Sequence, residues 1–250
     1  MKLKGKTAIV TGGARDLGRE ISLKLAKEGA KVVINYFDNE QDAIETKRFI
    51  TEAGGQCVIV QGDMTKAGDV ERLFAECKKT YGEKLDILVN VVGGLVGRKK
   101  ITEQDEEWYD FLMNVNMKSC WLCTRQAVPM MSKGASIINF SSQAARDGGG
   151  AGASMYATAK GAVMTFTRSM AKELGPDGIR VNALAPGMIA TSFHDRFSTP
   201  EGRKNVAAGT PLRREGVAYE IADLVAYLAS EESSFITGTN VDINGGTYFS

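Results

Sequence analysis

Residues 7–18 read TAIVTGGARDLG, and this stretch is the starting point for the fold. It joins a β-branched apolar strand to a glycine-rich turn, which leads into a segment with helical periodicity. Such a turn lets the backbone approach a pyrophosphate, and the helix N-terminus offers unpaired N–H groups and a partial positive charge. Because glycine turns also end strands in proteins that bind no ligand, the turn predicts a nucleotide site only within a parallel α/β pattern.

That pattern continues along the whole chain. Short apolar runs predict strands at 7–11, 31–36, 56–61, 87–90, 136–140, 180–185 and 240–243. Helical periodicity predicts helices at 17–28, 41–53, 70–81, 106–131, 155–174 and 217–228. Continuous apolar strands between helices indicate a parallel sheet covered on both faces. We therefore predict an α/β, doubly wound Rossmann fold with seven parallel strands in one domain over 1–250, with a substrate lid at 191–211.

Composition narrows the classes of function. The formal net charge is +1, and the basic residues are scattered, which gives no electrostatic basis for binding nucleic acid or an anionic membrane. No apolar run approaches the roughly 20 residues that a membrane-spanning helix needs. The N-terminus lacks the apolar core of a signal peptide, so we expect a cytoplasmic protein.

The cysteines give only weak evidence for a metal site or a redox function. Cys120 and Cys123 form a C-x-x-C, but they lie in a helical segment, and no second pair of ligands follows. Packing is the favoured interpretation, with metal or redox work as the alternative. We expect no metal site.

Polar and glycine residues recur in a regular order along the chain, several of them directly after a predicted strand. The set is Thr11-Gly12 with Gly18, Asp63, Asn90-Val91-Val92-Gly93, Asn116, Ser141-Ser142, Tyr156 with Lys160, and Pro186-Gly187. In this order the motifs resemble those of the short-chain dehydrogenase/reductase family over essentially the whole chain. The resemblance implies a Rossmann-type NAD(P)-dependent oxidoreductase acting on a carbonyl or an alcohol. It is nearest to 3-oxoacyl-carrier-protein reductases and to sugar or keto-uronate reductases.

The sequence departs from the family pattern at two places. The middle glycine of the family's turn is Asp16 here, at the start of the first helix, where a carboxylate can cap the helix but repels a phosphate unless Arg15 neutralises it. The family's Asn-Asn-Ala-Gly keeps only its ends, Asn90 and Gly93.

The choice between NAD and NADP depends on the end of the second strand. An acid there would hydrogen-bond a ribose 2′-hydroxyl and repel a 2′-phosphate, but the position holds Tyr36, followed by Phe37. With Arg15 available, NADP(H) is favoured and NAD(H) is the alternative. The resemblance places Asp63 and Met64 at the adenine. The complete predicted cofactor set is Gly12, Arg15, Asp16, Leu17, Gly18, Tyr36, Asp63, Met64, Asn90, Gly93, Tyr156, Lys160, Pro186, Gly187, Ile189 and Thr191, of which the last four hold the nicotinamide end.

Tyr156 and Lys160 are the candidates for proton transfer. They are four residues apart in a helical segment, so both project from one face. A phenol titrates near 10, and a neighbouring ammonium, helped by an oxidised nicotinamide, lowers that pKa toward neutrality. An isolated pair with this spacing is often accidental, so the assignment depends on the other motifs.

The family resemblance supplies the remaining catalytic roles. It implies that Ser142 polarises the substrate carbonyl and that Tyr156 donates the proton in reduction or accepts it in oxidation. It implies that Lys160 tunes Tyr156 and anchors the nicotinamide ribose, and that Asn116 holds a water of a proton relay. Ser141 is the rival to Ser142, which is favoured because it matches the family's strand-end pattern.

The substrate is predicted from loops beyond the strand ends. The candidates are Arg98, Gln143, Arg146 and His194, and they suggest a small polar, possibly anionic, sugar-derived carbonyl such as a keto-uronate, with a carboxylate clamped by Arg146 or Arg98. Solvated basic loops are an equal alternative. The alternative substrate is a 3-oxoacyl carrier protein. A function of another class, a non-catalytic dinucleotide sensor or scaffold, is disfavoured by the complete catalytic set. The resemblance implies a homotetramer.

Overall fold

A seven-stranded parallel sheet forms the centre of the structure, a computed structural model that describes residues 1–191 and 199–249. Its strands are β1 (Thr7–Thr11), β2 (Lys31–Tyr36), β3 (Gln56–Gln61), β4 (Ile87–Asn90), β5 (Ser136–Phe140), β6 (Arg180–Pro186) and β9 (Asn240–Ile243). Two short strands, β7 (Ile189–Ala190) and β8 (Gly216–Val217), pair separately. All seven predicted sheet strands are confirmed, and the sixth runs one residue further than predicted, to Pro186.

Helices connect the strands. They are α1 (Asp16–Lys27), α2 (Glu40–Glu52), α3 (Ala67–Tyr81), α4 (Glu106–Met113), α5 (Ser119–Ala127), α6 (Ala144–Asp147), α7 (Ser154–Leu174), α8 (Pro200–Gly209) and α9 (Ala218–Ala229). Side chains that accept backbone N–H bonds fix where several begin. Asn39 caps α2 by accepting from Asp42 at 3.2 Å, and Asp105 caps α4 by accepting from Trp108 at 2.7 Å.

The apolar strands are buried on both faces. Val10 and Ile34 pack on one face in a cluster that includes Leu25 of α1, while Ile9 and Val33 belong to a cluster on the other face. Alternation of neighbouring residues between the two layers follows from the two-residue period of a strand. Each fully buried large apolar side chain contributes on the order of 2 kcal/mol, which explains why the strands read as continuous apolar runs. The predicted doubly wound fold is confirmed.

The sheet order β3-β2-β1-β4-β5-β6-β9 reverses direction between β1 and β4. In open α/β sheets, ligands bind at the carboxyl ends of the strands at such a reversal. Thr11 and Asn90 end the two strands and lie side by side in register. The Thr11 hydroxyl accepts the N–H groups of Val91 and Val92 at 3.1 and 3.3 Å, so the motif threonine holds the loop after β4.

The prediction of one continuous helix over 106–131 is wrong, because the helix is interrupted in its middle. The segment divides into α4 and α5, which are joined by a π-helical turn at Asn114–Lys118. A π-turn inserts one extra residue into the helical repeat. The spacing of apolar residues in the sequence does not reveal a single inserted residue. Val128–Met130, at the end of the segment, is a 3-10 turn.

Several other predictions bear on the periphery of the fold. Within 1–191 and 199–249, no helix is both long and apolar enough to cross a membrane; the cytoplasmic location and the one-domain organisation stay predictions. The predicted lid at 191–211 falls partly on residues 192–198, outside the described residues, and its described part includes α8. Cys120 and Cys123 are buried; the Cys120 thiol lies 3.3 Å from Asn139 Oδ1, and Cys123 Sγ lies 3.7 Å from the sulfur of Met64, as expected for packing.

Candidate active site

A cavity of about 1030 Å³ opens at the carboxyl ends of the strands, where the sheet order reverses. Residues that follow β1, β2, β3, β4, β5 and β6 all contribute to its lining. Every predicted cofactor residue lines it except Asn90, as do Ser142 and Arg98. The structure therefore brings most of the sequence candidates together in one space.

The glycine turn after β1 forms one end of the cavity. The Gly12 N–H donates to Oδ1 of Asn35 at 3.1 Å, and the Gly13 N–H donates to the Asn35 carbonyl at 2.9 Å. A Cβ on Gly18 would lie 2.0 Å from the Gly12 carbonyl oxygen, so no larger residue fits there. This close approach keeps the turn compact against the N-terminus of α1, and residues 15–18 face the cavity.

Asp16 stands where the family has the middle glycine of its turn. The backbone conformation at this position explains why glycine is usual there. Its φ is 48°, in the left-handed region that glycine adopts without strain and that Asp tolerates better than most residues. The expectation that Asp16 caps the helix needs correction, because Arg15 is the N-cap residue and Asp16 is the first helical residue. A carboxylate in the first turn still interacts favourably with the helix dipole.

The predicted adenine end is built from the ends of β2 and β3. Tyr36 is buried, and its hydroxyl lies 3.3 Å from a carboxylate oxygen of Glu40; burial is the main cause that raises the pKa of Tyr36. Oδ1 of Asp63 accepts both the N–H and the hydroxyl of Thr65, at 2.9 and 2.7 Å, which fixes the loop beside the buried Met64.

Sequence reasoning missed Asn35, which organises this end of the cavity. Besides accepting from Gly12, its amide donates to the Gly62 carbonyl at 3.0 Å, so one buried side chain joins the loops after β1 and β3. A polar residue inside an otherwise apolar strand was the available signal. Lys66 also lines the cavity there, as do the acidic Asp38 and Asp42.

Tyr156 and Ser142 both line the other end of the cavity, where the Ser142 side chain is close enough to affect the pKa of Tyr156. The sequence argument expects a lowered pKa for Tyr156. In the structure burial raises the pKa of Tyr156, and the nearby Ser142 side chain opposes that rise. The Lys160 ammonium, which the sequence argument expects to lower that pKa, donates to another acceptor.

That acceptor is the Phe140 carbonyl at the end of β5, to which Lys160 Nζ donates at 2.7 Å. Burial lowers the pKa of Lys160 to about 8, because the charged form loses hydration. A Cβ on Gly93 would lie 2.7 Å from both Lys160 Nζ and Asn116 Oδ1. A side chain at position 93 would therefore displace two predicted catalytic groups at once, which explains the glycine there.

Asn116 is buried behind the cavity wall and is not part of its lining. It lies in the π-helical turn, where its amide accepts the Gly94 N–H at 2.9 Å and donates to the Gly94 carbonyl at 3.0 Å. π-turns often occur at functional sites. Here the turn aims one amide at the backbone of the loop after β4.

The rival serine, Ser141, also lines the cavity, but its hydroxyl is bound within the protein. Ser141 is buried, and its hydroxyl donates to the backbone carbonyl of Lys160 at 3.0 Å. The Ser142 hydroxyl accepts the Ala144 N–H at 3.1 Å, and Ser142 lines the cavity together with Tyr156. This geometry favours Ser142 over Ser141 for contact with a substrate.

The structure places three candidates outside the cavity lining. Asn90 does not line the cavity, because its amide donates to Asn139 Oδ1 at 2.9 Å in the protein interior. Gln143 also lies outside the lining and donates to Asp147 at 2.9 Å. Arg146 pairs with Asp242 at 3.3 Å and donates to the Asn240 carbonyl at 2.9 Å, so its charge is used within the protein.

Of the two remaining substrate candidates, Arg98 and His194, the structure describes only Arg98. Arg98 lines the cavity, and its Nη1 donates a hydrogen bond to the Ala151 carbonyl at 3.0 Å. His194 lies outside the described residues. The sequence also missed the apolar part of the lining near the predicted catalytic residues, which includes Leu95, Val96, Phe111, Val115, Ala144 and Ala153.

Comparison with known proteins identifies the family. A family profile described as Enoyl-(Acyl carrier protein) reductase matches residues 12–248. A Bacillus subtilis protein named uncharacterized oxidoreductase YhdF is 38% identical over 249 residues, which are 100% of this chain and 86% of that protein. A short-chain dehydrogenase/reductase from Serratia marcescens superposes with a TM-score of 0.94 at 32% identity, covering 99% of both chains. A short chain dehydrogenase from Burkholderia cenocepacia in complex with NADP superposes with a TM-score of 0.92 at 29% identity, covering 99% of both chains. The chain belongs to the short-chain dehydrogenase/reductase family of NAD(P)-dependent oxidoreductases.

Proposed function

We propose that the protein reduces the carbonyl group of a mainly apolar small molecule with NADPH, using Tyr156 as the proton donor. The observation that carries the proposal is that Tyr156, Ser142 and the buried Lys160 line one cavity; burial lowers the pKa of Lys160 to about 8. A dinucleotide-sensing or scaffold protein has no need for this set of proton-transfer groups.

The residues present fit a dinucleotide. The compact Gly12–Gly18 turn leaves the N-terminus of α1 open to the cavity, as a pyrophosphate requires. Gly93, Pro186, Gly187, Ile189 and Thr191 line the cavity toward the predicted catalytic residues, where a nicotinamide would lie. When bound, the reduced cofactor supplies a hydride to the carbonyl carbon.

The side chains of the protein supply the proton and the polarisation. Ser142 donates a hydrogen bond to the substrate oxygen, and Tyr156 gives its phenolic proton to that oxygen as negative charge develops there. Lys160 holds a positive charge close to the reacting groups while it is protonated. Asn116 positions the loop after β4, and the role of holding a relay water stays a proposal from the family resemblance.

The preference for NADPH is supported by charge. Tyr36 replaces the acid that would favour a free ribose 2′-hydroxyl, and Arg15 and Lys66 line the same end of the cavity. The Burkholderia relative is a complex with NADP. Asp38 and Asp42 line that end too and oppose the preference, so NADH is the cofactor to compare directly.

The apolar lining favours a substrate less polar than a keto-uronate. Val96 and Phe111 keep 40% and 48% of their surface exposed although both face the cavity, and exposed apolar walls suit apolar ligands. Arg146 is unavailable as a carboxylate clamp, which leaves Arg98 for any acceptor group on the substrate. A keto-uronate or a 3-oxoacyl carrier protein stays an untested alternative.

We also propose that the protein assembles as a homotetramer. Trp121 on α5 and Tyr109 on α4 are 41% and 50% exposed, and Phe235 is fully exposed, so packing within this chain does not account for them. Sedimentation velocity distinguishes a tetramer from a monomer.

The test follows NADPH and NADH absorbance separately against aryl ketones, fused-ring ketones, keto-uronates and acetoacetyl thioesters. We expect NADPH oxidation with the apolar ketones, and a loss of roughly 100-fold or more in kcat for Tyr156→Phe and Ser142→Ala. Ser141→Ala is the matched control and keeps most of the activity. Tight cofactor binding with no oxidation by any carbonyl would refute the proposal in favour of a dinucleotide-binding protein.

A further inference from the structure

The loop after β4 contains a strained turn directly on the cavity. The Gly97 N–H donates to the Leu95 carbonyl at 2.7 Å, which closes a γ-turn centred on Val96. The φ of Val96 is 63°, and a β-branched residue at positive φ is a backbone outlier. γ-turns of this hand are rare because they are strained.

The surroundings hold the turn from both sides. Upstream, the Asn116 amide binds both the N–H and the carbonyl of Gly94. Downstream, the Lys99 N–H donates to the Gly152 carbonyl at 3.2 Å, and Arg98 donates to the Ala151 carbonyl. A strained residue persists only where its neighbours over-determine its conformation, and such residues cluster at functional sites.

The turn gives the Val96 side chain a fixed place in the cavity lining. That lining also contains Tyr156, Ser142 and the apolar Phe111, so Val96 and the reacting groups border the same cavity. A branched side chain on a clamped backbone cannot move aside as a long flexible one can. It therefore limits the bulk of whatever lies next to it.

We propose that Val96 is a specificity-determining residue, which limits the bulk of the apolar group beside the substrate carbonyl. This inference rests on the proposed carbonyl reduction and adds the size limit to it. The substrate class is an aldehyde or ketone with one compact apolar substituent.

The experiment measures binding rather than turnover, so that its outcome does not depend on catalysis. Isothermal titration calorimetry gives Kd values for acetophenone and for 1-tetralone with the enzyme saturated by NADP⁺, which cannot deliver a hydride. We expect Val96→Gly to lower the ratio of the tetralone Kd to the acetophenone Kd by about tenfold, the usual effect of a few methyl groups in an apolar pocket. Val96→Ala should lower it less. Ile101→Ala, an exposed apolar residue outside the lining, is the control and leaves the ratio unchanged.

Thermal unfolding of the same variants tests the strained turn. Val96→Gly should have a higher Tm than Val96→Ala, since only glycine adopts this φ without strain. Equal Tm values, or a lower Tm for Val96→Gly than for Val96→Ala, would contradict the interpretation that the backbone at position 96 is strained. A Kd ratio that stays within about twofold of the wild type, or no binding of either ketone, would overturn the size limit. Binding as expected with no NADPH oxidation contradicts only the proposed reduction.

Discussion

Replacing Lys160 by methionine tests the buried ammonium through stability rather than catalysis. The Lys160 residue is 4% exposed, and its pKa in the folded protein falls from 10.5 to about 8. Between these two pKa values the unfolded chain holds a proton that the folded chain has released. Raising the pH through this window therefore stabilises the folded protein.

The magnitude follows from the two pKa values. Their difference corresponds to about 3 kcal/mol of unfolding free energy when the whole window is crossed. Roughly 2 kcal/mol of this is gained between about pH 7 and about pH 9.5, because the unfolded-state lysine is still mostly protonated at the upper limit. Lys160→Met has no such titration and should lack this gain.

The assay is urea unfolding at both pH values with the protein concentration held constant. The change in unfolding free energy with pH is compared between wild type and Lys160→Met. The two proteins have all other titratable groups in common, so the difference between them reports on Lys160. Lys172→Met changes an exposed lysine of the same helix and should follow the wild type. If wild type and Lys160→Met gain equally with pH, the ammonium is not buried as described, and the reasoning fails.

Three further predictions concern the glycine-rich turn, the second strand and the ion pair of Arg146. Asp16→Asn keeps a residue that tolerates positive φ and removes the charge beside the helix N-terminus, so Kd for NADPH should fall several-fold in a fluorescence titration, and more at low salt; an unchanged Kd would show that the carboxylate does not face the phosphates. Asn35→Ala leaves the Gly12 N–H without its acceptor and should cost about 1–3 kcal/mol in urea unfolding and weaken NADPH binding; wild-type behaviour in both measurements would contradict the role given to Asn35. Arg146→Ala should cost about 2 kcal/mol of stability with little change in KM, and the double variant with Asp242→Ala should cost less than the sum of the single changes; a large rise in KM with full stability would restore Arg146 as a substrate clamp.

The sequence was sufficient for the sheet and for most of the cavity lining. Buried parallel strands are continuous apolar runs, so their positions could be predicted almost to the residue. The order of motifs placed Tyr156, Lys160 and Ser142 near one another because each follows or lies near a strand end at the same edge of the sheet.

Contacts between residues far apart in the chain could not be predicted. Arg146 and Asp242 are 96 residues apart, and no local pattern reveals that the arginine of the short helix α6 pairs with an aspartate of the last strand. The direction in which Lys160 points depends on the Phe140 carbonyl, and spacing on a helix does not specify it. The backbone outlier at Val96 is likewise imposed by tertiary contacts against the residue's own preference.

The π-helical turn at Asn114–Lys118 has a consequence for the helix that contains it. One extra residue in a repeat of 3.6 shifts the phase of every following residue by about 100°. Deleting one residue between Asn114 and Lys118 would restore a regular α-helix and rotate either α4 or α5 about its axis by that angle. The Asn116 amide would leave Gly94, or Leu122 and Cys123 would leave the core, so the length of this segment is fixed as strictly as the identity of its asparagine.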